Sequence, residues 1–475
     1  MSVCVIGGGI SGLSLAHYLT KFSPNTRVTL IEASSRVGGW IHSVSDPIPF
    51  ELGPRSVRAF NGLDTAELLV DLGLTDQVAL PASTSRYRYV YARNKVHRLP
   101  ASLSDFVHSE IMSPIPTVGN VLFKDWIGSL FSRKQTEDLS VAELVTRRFG
   151  SSMANDLFSA MCLGIFAGDF NKLSAQACFP DMFSAAARGR PITLSTTFKP
   201  FRDSCEQLAK KMTRSEDSDF IRSLPDVTMY SLHNGLETLT KQLHASLQAL
   251  PSSRFRGFLN APVSSLRFLD DRVAVNFNSV SENFDHVFSA VNSASISQLL
   301  PSNLSSIKSQ LDAMPHTSVW TINISYSSDV LHNYPGFGVL LPLQEQSPPI
   351  LGVTFDSYLF QTQKPEPRCR ATVMIGGEKN PEFKAISSDQ AAEIAVDAMQ
   401  KIFAINQAPE YVYAQLHKNC IAQYAVGHRE RVSAIRKQLP ARLELIGSSF
   451  DGVSINDCVR NSKKTALACT AARAQ

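Results

Sequence analysis

The sequence lacks the features that mark several common classes of protein. None of its apolar runs reaches the roughly 18–20 residues that a membrane-spanning helix needs, because Pro, Lys or Asp interrupts each of them. Basic and acidic residues, 46 and 42, nearly balance to a net charge of +4, so the composition gives no support to nucleic-acid binding. The first residues show no charged region followed by an apolar core, and we therefore expect no secretory signal peptide.

Two further absences concern chemistry. The eight cysteines are scattered, with no C-x-x-C pair and no Cys/His spacing that would gather four ligands around zinc. We therefore interpret them as reduced thiols and predict no metal site. No Ser/His/Asp order, H-E-x-x-H string or paired carboxylates stand out, so hydrolysis and metal catalysis have no support.

The composition is that of a folded globular chain. Of the 475 residues, 44% are hydrophobic and 19% charged, and the 25 glycines and 25 prolines are spread along the sequence. The length exceeds what one hydrophobic core usually serves. We therefore expect two or three domains of roughly 100–200 residues each.

The first 32 residues contain a nucleotide-binding pattern. An apolar strand over residues 3–6 is followed by the spacing G-x-G-x-x-G at 7–12, which opens a helix. A second strand, 28–31, ends at Glu32, where a carboxylate binds ribose hydroxyls and repels a 2′-phosphate. The alternative interpretation is an ordinary strand–turn–helix unit without a ligand.

A second glycine-rich segment narrows the choice of cofactor. Residues 32–40 read E-x-x-x-R-x-G-G-W, and residues 50–56 read F-E-L-G-P-R-S. These strings resemble the amine-oxidase-like flavoproteins, which include monoamine oxidases, phytoene desaturases and protoporphyrinogen oxidases. Trp40 and the string Gly53-Pro54-Arg55 are most similar to the protoporphyrinogen oxidases. The resemblance implies non-covalently bound FAD, with the first segment at the diphosphate and the second beside the isoalloxazine ring.

Two later stretches carry the same resemblance. One is G-I-F-A-G-D at 164–169, and the other is the string 445–459 near the C-terminus. In the latter, Asp457 begins a predicted helix whose N-terminus would offset negative charge on reduced flavin. A glycine loop before a C-terminal helix is the alternative. The chain departs from the family pattern at Ala422 and Asn292, where prolines are common.

The resemblance assigns FAD-binding positions along much of the chain. By their place in the matching strings, these positions are Gly7, Gly9, Ile10, Ser11, Gly12, Glu32, Ala33, Arg36, Gly38, Gly39, Trp40, Gly53, Pro54, Arg55, Ser56, Val263, Ala290, Gly447, Val453, Ser454 and Ile455. No catalytic side chain is identified, because the flavin would carry the chemistry.

The fold class implied is α/β, of the monoamine-oxidase and p-hydroxybenzoate-hydroxylase type. A Rossmann-type FAD-binding domain would comprise 1–85, 225–300 and 415–475. A mixed-sheet substrate domain would comprise 86–98 and 300–415, where β-rich strings predict an antiparallel sheet. An inserted helical membrane-associating domain would comprise 99–210, and the polar stretch 190–225 reads as a mobile loop or insertion.

Candidate substrate residues lie in the middle of the chain. Residues 86–91 alternate as a strand, with tyrosines on one face and Arg86 and Arg88 on the other, which suits either a solvated face or capture of an acidic group. The resemblance implies that Arg86 meets a substrate propionate and that Gly168 passes close to a tetrapyrrole. It also implies an apolar slot around the macrocycle, although these residues read alone as core packing: Phe337, Leu340, Leu351, Val353 and Met374.

The run 118–131 has apolar residues at helical spacing, with Trp126 near basic residues. This pattern suits either a core helix or an amphipathic helix at a membrane surface, and the resemblance favours the membrane. If the protein is eukaryotic, its implied location is the mitochondrial inner membrane, on the intermembrane-space side. If it is bacterial, a soluble enzyme is the alternative. A homodimer is also implied.

The activity implied by the resemblance is oxidation of protoporphyrinogen IX to protoporphyrin IX, the penultimate step of haem biosynthesis. Three hydride transfers to the flavin would each be followed by reoxidation with molecular oxygen and release of hydrogen peroxide. One alternative is another amine-oxidase-like oxidase or desaturase, although the Ser-Gly-Gly-Cys string of covalent flavin attachment is missing. The other is a flavin- and tetrapyrrole-binding protein without turnover.

Overall fold

A computed structural model describes residues 1–45, 47–99, 125–126, 137–192, 198–345, 347–360 and 368–471. Within these ranges the chain forms two compact units. Unit 1 comprises 1–78, 201–315 and 429–475, and unit 2 comprises 79–200 and 316–428.

The strands follow one another along the whole chain. In the first part they are β1 (Ser2–Ile6), β2 (Arg27–Ile31), β3 (Ser43–Val44), β4 (Phe50–Glu51), β5 (Val57–Arg58), β6 (Val78–Ala79), β7 (Arg88–Ala92), β8 (Lys95–Leu99), β9 (Met229–Leu232) and β10 (Phe255–Phe258). They continue as β11 (Val263–Phe268), β12 (Val273–Phe277), β13 (Val280–Phe284), β14 (His286–Ser289), β15 (His316–Tyr326), β16 (Gly338–Leu340), β17 (Gly352–Thr354), β18 (Cys369–Gly376), β19 (Tyr411–Ala422) and β20 (Leu443–Leu445).

The helices lie between these strands. They are α1 (Ile10–Phe22), α2 (Leu63–Asp71), α3 (Val141–Phe149), α4 (Ser151–Met153), α5 (Ser159–Phe166), α6 (Ala175–Cys178), α7 (Pro180–Ala187) and α8 (Phe198–Ala209). They continue as α9 (Ser215–Ser223), α10 (Glu237–Gln248), α11 (Ser293–Leu299), α12 (Ser305–Asp312), α13 (Asp356–Leu359), α14 (Ser388–Phe403), α15 (His428–Gln438) and α16 (Ile455–Ala471).

Unit 1 is built on a parallel sheet with the strand order β10-β2-β1-β14-β20. Alternate residues of β1 enter two different cores: Val3 and Val5 pack with α1, and Cys4 and Ile6 pack with β11 and β12 on the other side. A strand buried on both faces reads as a continuous apolar run, which is why β1 and β2 were predictable from sequence. The predicted strand–turn–helix–strand order over 3–31 is confirmed.

The interpretation of 190–225 as a mobile loop is wrong for its described residues. Residues 198–209 and 215–223 form α8 and α9. Phe201, Cys205 and Ala209, spaced four apart, are buried in the core of unit 1. The apolar stripe of these helices is narrow and lies among charged residues, so the polar composition concealed a helical period.

Unit 2 is built on a mixed sheet with the strand order β19-β15-β18-β17-β16-β7-β8. The predicted antiparallel pairing within 315–415 is confirmed for β15, β16, β17, β18 and β19. β16 also pairs with β7 in parallel, which makes the whole sheet mixed. One face carries Val339, Val353 and Val373, which pack in a core shared with α14.

The unit limits differ from the predicted domains. Residues 201–224 and 301–315 belong to unit 1, whereas 79–85 and 415–428 belong to unit 2. The physical reason is visible for 201–224, since α8 and α9 bury their apolar faces in the core of unit 1. The helical domain over 99–210 stays a prediction, because 100–124, 127–136 and 193–197 lie outside the described residues.

Two local predictions need comment. The strand predicted from Arg86 begins instead at Arg88, because Ser83–Arg86 form a 3₁₀ turn. Of the amphipathic run 118–131, the structure describes only residues 125 and 126. Among the helices that it does describe, none combines the length and the apolar character needed to cross a bilayer.

Candidate functional site

Unit 1 places a glycine turn at the carboxyl edge of its parallel sheet. β1 ends at Ile6 and α1 begins at Ile10, with Gly7–Gly9 between them. A Cβ atom on Gly12 would lie 1.9 Å from the carbonyl oxygen of Gly7. Glycine at position 12 therefore lets α1 approach the turn closely, as the G-x-G-x-x-G spacing predicts.

Gly9 tests whether this turn fits a diphosphate. Its φ is −72°, which any residue adopts, and a Cβ there would meet only the Cα of Gly39, at 3.9 Å. The folded protein itself therefore does not require glycine at position 9. Among the described residues, no side chain caps α1 and no acid lies in its first turn, so the first N–H groups suit an anion. These residues fit the diphosphate of a dinucleotide.

Glu32 lies directly after β2, as predicted. The backbone N–H of Gly8 donates to its Oε2 at 2.6 Å, and the N–H and hydroxyl of Ser34 donate to Oε1 at 2.8 and 2.6 Å. A carboxylate offers about four acceptor positions, so Oε2 retains one for a ribose hydroxyl. Neighbouring Ala33 is exposed at the same edge of the sheet.

Arg36 holds the second glycine segment in place. Its guanidinium donates to the carbonyl oxygens of Val37 and Ile41 at 3.1 Å each and of Gly39 at 2.6 Å. These bonds show that Arg36 orders the loop, and its predicted contact with the ligand stays a prediction. The loop in turn meets the first turn, since the N–H of Gly38 donates to the carbonyl of Gly8 at 2.8 Å.

The string Gly53-Pro54-Arg55-Ser56 contacts the second glycine segment. A Cβ on Gly53 would lie 1.9 Å from the carbonyl oxygen of Trp40, so the two backbones touch. The Trp40 side chain is 41% exposed. Pro54, Arg55 and Ser56 are half-buried between this contact and β5.

Two neighbouring strands bring further predicted positions to the same edge. The N–H of Ala290, just after β14, donates to the carbonyl of Ile6 at 2.8 Å. A Cβ on Gly447, just after β20, would lie 3.4 Å from the hydroxyl of Ser11 and 3.6 Å from the carbonyl of Ala290. Val263 begins β11, and the segment before it is bonded to the Glu32 loop, since Ala261 N–H donates to Glu32 O at 2.9 Å.

The C-terminal helix α16 begins at Ile455, two residues before the predicted start. Val453 and Ser454 are half-buried before it, and Ser454 donates to Asp457 Oδ2 at 2.5 Å. Asp457 also lies 3.3 Å from the Arg460 guanidinium. A carboxylate therefore already occupies the first turn, and the idea that this N-terminus offsets charge on a reduced flavin loses support.

In unit 2, Arg86 lies beside an aromatic ring. Its Nη2 donates to the hydroxyl of Tyr87 at 2.8 Å, and this bond lowers the pKa of Tyr87. The Arg98 guanidinium lies over the same ring, 3.7 Å from its centroid. Arg86 is exposed, which allows the predicted contact with a carboxylate.

Gly168 has a structural partner within unit 2. A Cβ there would lie 2.2 Å from Oε1 of Gln423, whose Nε2 donates to the carbonyl of Phe166 at 2.8 Å. A side chain at position 168 would therefore have to displace the end of the Gln423 side chain, whatever ligand lies nearby. The close approach of a tetrapyrrole to Gly168 stays a prediction.

The strand register separates the predicted apolar slot residues. Gly352 of β17 pairs with Leu340 of β16 on one side and with Met374 of β18 on the other. Residues paired across a sheet share a face, so Leu340 and Met374 lie on one face of the sheet. Val353 lies on the other face and is 1% exposed in the core, so its predicted role in a substrate slot is corrected to packing. Leu340 itself packs on α5, where a Cβ on Gly164 would lie 2.6 Å from its Cδ2.

An apolar patch next to Met374 includes residues that sequence reasoning missed. Leu351 is buried in it with Leu163, while Met374 and Ile421 are only partly buried at its margin. Ile421 directly precedes the Ala422-Gln423-Tyr424 string, which was the available signal. Phe337 lies outside this patch, half-buried beneath the Arg88 guanidinium at 5.3 Å from its ring centroid.

A lysine fastens the loop between β16 and β17. Lys379 Nζ donates to the carbonyls of Pro342 at 3.5 Å, Ile350 at 3.3 Å and Glu345. Burial lowers the pKa of Lys379 to about 8, against the opposing effect of Glu345. The folded protein therefore carries this charge at a cost at neutral pH.

We expect the stability of the wild type to rise relative to Lys379→Met between about pH 8 and pH 10.5. In this window the unfolded chain binds the proton and the folded chain has released it, so unfolding takes up protons and becomes less favourable as pH rises. The gain is up to about 3 kcal/mol. Urea unfolding of both proteins at pH 7.5 and 10 measures it, and a constant difference would contradict the shifted pKa.

Taken together, the parallel sheet, the glycine turn and Glu32 define a dinucleotide-binding flavoprotein with FAD as its cofactor. The chain belongs to the flavin containing amine oxidoreductase family, which matches residues 10–470.

Relatives within that family are more specific. The chain is 32% identical to protoporphyrinogen oxidase of Homo sapiens over 98% of both chains, and 29% identical to that of Schizosaccharomyces pombe, again over 98% of both. Among solved structures, a provisionally named protoporphyrinogen oxidase from Exiguobacterium sp. 255-15 shares the fold. It has a TM-score of 0.79 and 21% identity, and the match covers 99% of this chain and 98% of that one.

Proposed function

We propose that this protein oxidises protoporphyrinogen IX to protoporphyrin IX, using FAD, in haem biosynthesis. The observation that carries the proposal is the 32% identity to a protoporphyrinogen oxidase over 98% of both chains. The glycine turn supports it independently, because Gly9 has room for a side chain within the protein and so points to an external group.

Each part of the chain then has a defined task. FAD, when bound, supplies the two-electron oxidation. The uncapped first turn of α1 binds the diphosphate, and Glu32 binds the ribose. Arg36 keeps the second glycine segment in its bound shape, and Gln423 positions the backbone at Gly168. The apolar face with Leu340 and Met374 suits a macrocycle that must be kept from water.

The proposal includes oxygen as the final acceptor, a membrane surface and a homodimer. Complete oxidation of one molecule of protoporphyrinogen IX, in three two-electron steps, would reduce three molecules of oxygen to three of hydrogen peroxide. Exposed apolar side chains in unit 2 support contact with a membrane, since Trp126 is 53% and Ile165 49% exposed. The proposed location is the intermembrane-space side of the mitochondrial inner membrane.

The test mixes the flavin-loaded protein with protoporphyrinogen IX without oxygen. We expect the flavin absorbance near 450 nm to bleach and to return on admission of air, with porphyrin fluorescence rising above the autoxidation blank. Putrescine serves as the control substrate. Bleaching by putrescine alone would indicate an amine oxidase, and a yellow protein that neither compound bleaches would contradict the proposed activity.

A further inference from the structure

Arg88 is the first residue of β7, and the register turns it away from the core of unit 2. The next residue, Tyr89, pairs with Val339 and is buried in the core. Successive side chains of a strand point to opposite faces, so Arg88 faces the other way. Val90 pairs with Leu340, and residues two apart share a face. Arg88 therefore lies on the same face as the apolar side chain of Leu340.

The position of Arg88 is fixed by an aromatic partner. Its guanidinium lies 5.3 Å from the ring centroid of Phe337. That ring is held beside β7 because the N–H of Phe337 donates to the carbonyl of Tyr87 at 2.8 Å. A guanidinium over an aromatic ring keeps the edges of its planar fork available for hydrogen bonds.

In the part of the chain that the structure describes, no acid compensates the charge of Arg88. Its side chain retains exposed surface, yet the protein around it lowers its pKa by burial. No carboxylate within the described ranges contributes an opposing effect or an ion pair. A partly desolvated cation of this kind gains most from a ligand that brings a carboxylate.

We propose that Arg88 binds a carboxylate of the substrate, in addition to the predicted contact at Arg86. This rests on the proposed function, since protoporphyrinogen IX combines an apolar macrocycle with two propionate groups. Arg86 engages Tyr87, whereas Arg88 engages Phe337, so the two cations are supported separately. Arg88 beside the apolar face of Leu340 matches a carboxylate at the edge of a flat, apolar molecule.

The test compares Arg88→Met and Arg88→Lys with the control Lys95→Met. Lys95 begins β8 on the same hairpin and its loss removes the same charge. Each flavin-loaded protein is titrated with protoporphyrin IX and with its dimethyl ester in mild detergent, following porphyrin fluorescence. We expect Arg88→Met to weaken binding of the diacid about tenfold and to leave binding of the ester unchanged. Arg88→Lys should restore part of the loss, and Lys95→Met should change neither ligand.

Kinetics give a second measurement. With protoporphyrinogen IX, Arg88→Met should raise KM about tenfold with kcat near that of the wild type, because the interaction is made equally in the ground and transition states. An equal loss for diacid and ester would show that Arg88 only supports the fold, and an unchanged diacid affinity would exclude contact. If the wild type oxidises protoporphyrinogen and Arg88→Met does so with the same KM and affinity, this inference alone is refuted. A wild type that binds no porphyrin refutes the proposed function together with it.

Discussion

Replacement of Gly9 by alanine is expected to leave the protein folded but unable to retain FAD. The added Cβ meets no atom of the protein closer than 3.9 Å, and the backbone conformation suits alanine. The same Cβ would project where a diphosphate must approach the N–H groups of α1. Loss of one or two hydrogen bonds to a charged group is about 3 kcal/mol, so the affinity for FAD should fall about a hundredfold.

The measurement has two parts. FAD affinity is determined by flavin fluorescence on the stripped protein, and stability by urea unfolding of the same stripped protein. Ser14→Ala is the control, because it changes a fully buried side chain of the same helix that lies outside the glycine turn. Unchanged FAD affinity in Gly9→Ala would show that the turn binds no diphosphate.

Gly12→Ala, only three residues further on, is expected to fail in the opposite way. Its Cβ would lie 1.9 Å from the carbonyl oxygen of Gly7 and 3.3 Å from Val5, so α1 must move off the sheet. Forcing a buried helix and strand apart in a close-packed interior costs about 3 kcal/mol or more. We expect low soluble expression and a lower urea midpoint, even with excess FAD.

The contrast between the two variants separates folding from binding within one motif. If Gly12→Ala were as stable as the wild type and lost only FAD, the close packing of α1 on Gly7 would not be required for the fold. If both variants unfolded, Gly9 would have a structural role that its surroundings do not indicate.

The glycine turn after β1 could be predicted from sequence because its signals are local. The strand over 3–6, the glycine spacing at 7–12 and the acid at 32 lie within one strand–helix–strand unit, and the structure places them as predicted. The role of Arg36 could not be predicted in this way. Its partners are carbonyl groups of its own loop, and carbonyl groups carry no sequence signal.

The substrate face was harder to predict because it depends on pairing between distant strands. A one-residue change of register moves a side chain to the other face, and only the pairing of β16, β17 and β18 shows that Val353 enters the core while Met374 does not. The helices α8 and α9 were missed for another reason. Their buried apolar residues, such as Phe201 and Phe220, are few among charged neighbours. The polar composition therefore hid the helical spacing of the apolar residues.

The bonds from Arg36 to its own loop also bear on how quickly and tightly a cofactor is taken up. Because the carbonyls of Val37, Gly39 and Ile41 are already held, the second glycine segment is ordered before any ligand arrives. Ordering a loop on binding would subtract about 1–2 kcal/mol of conformational entropy per residue from the affinity. Here that entropy is lost when the chain folds, so the segment is pre-organised and binding of a ligand does not carry this cost.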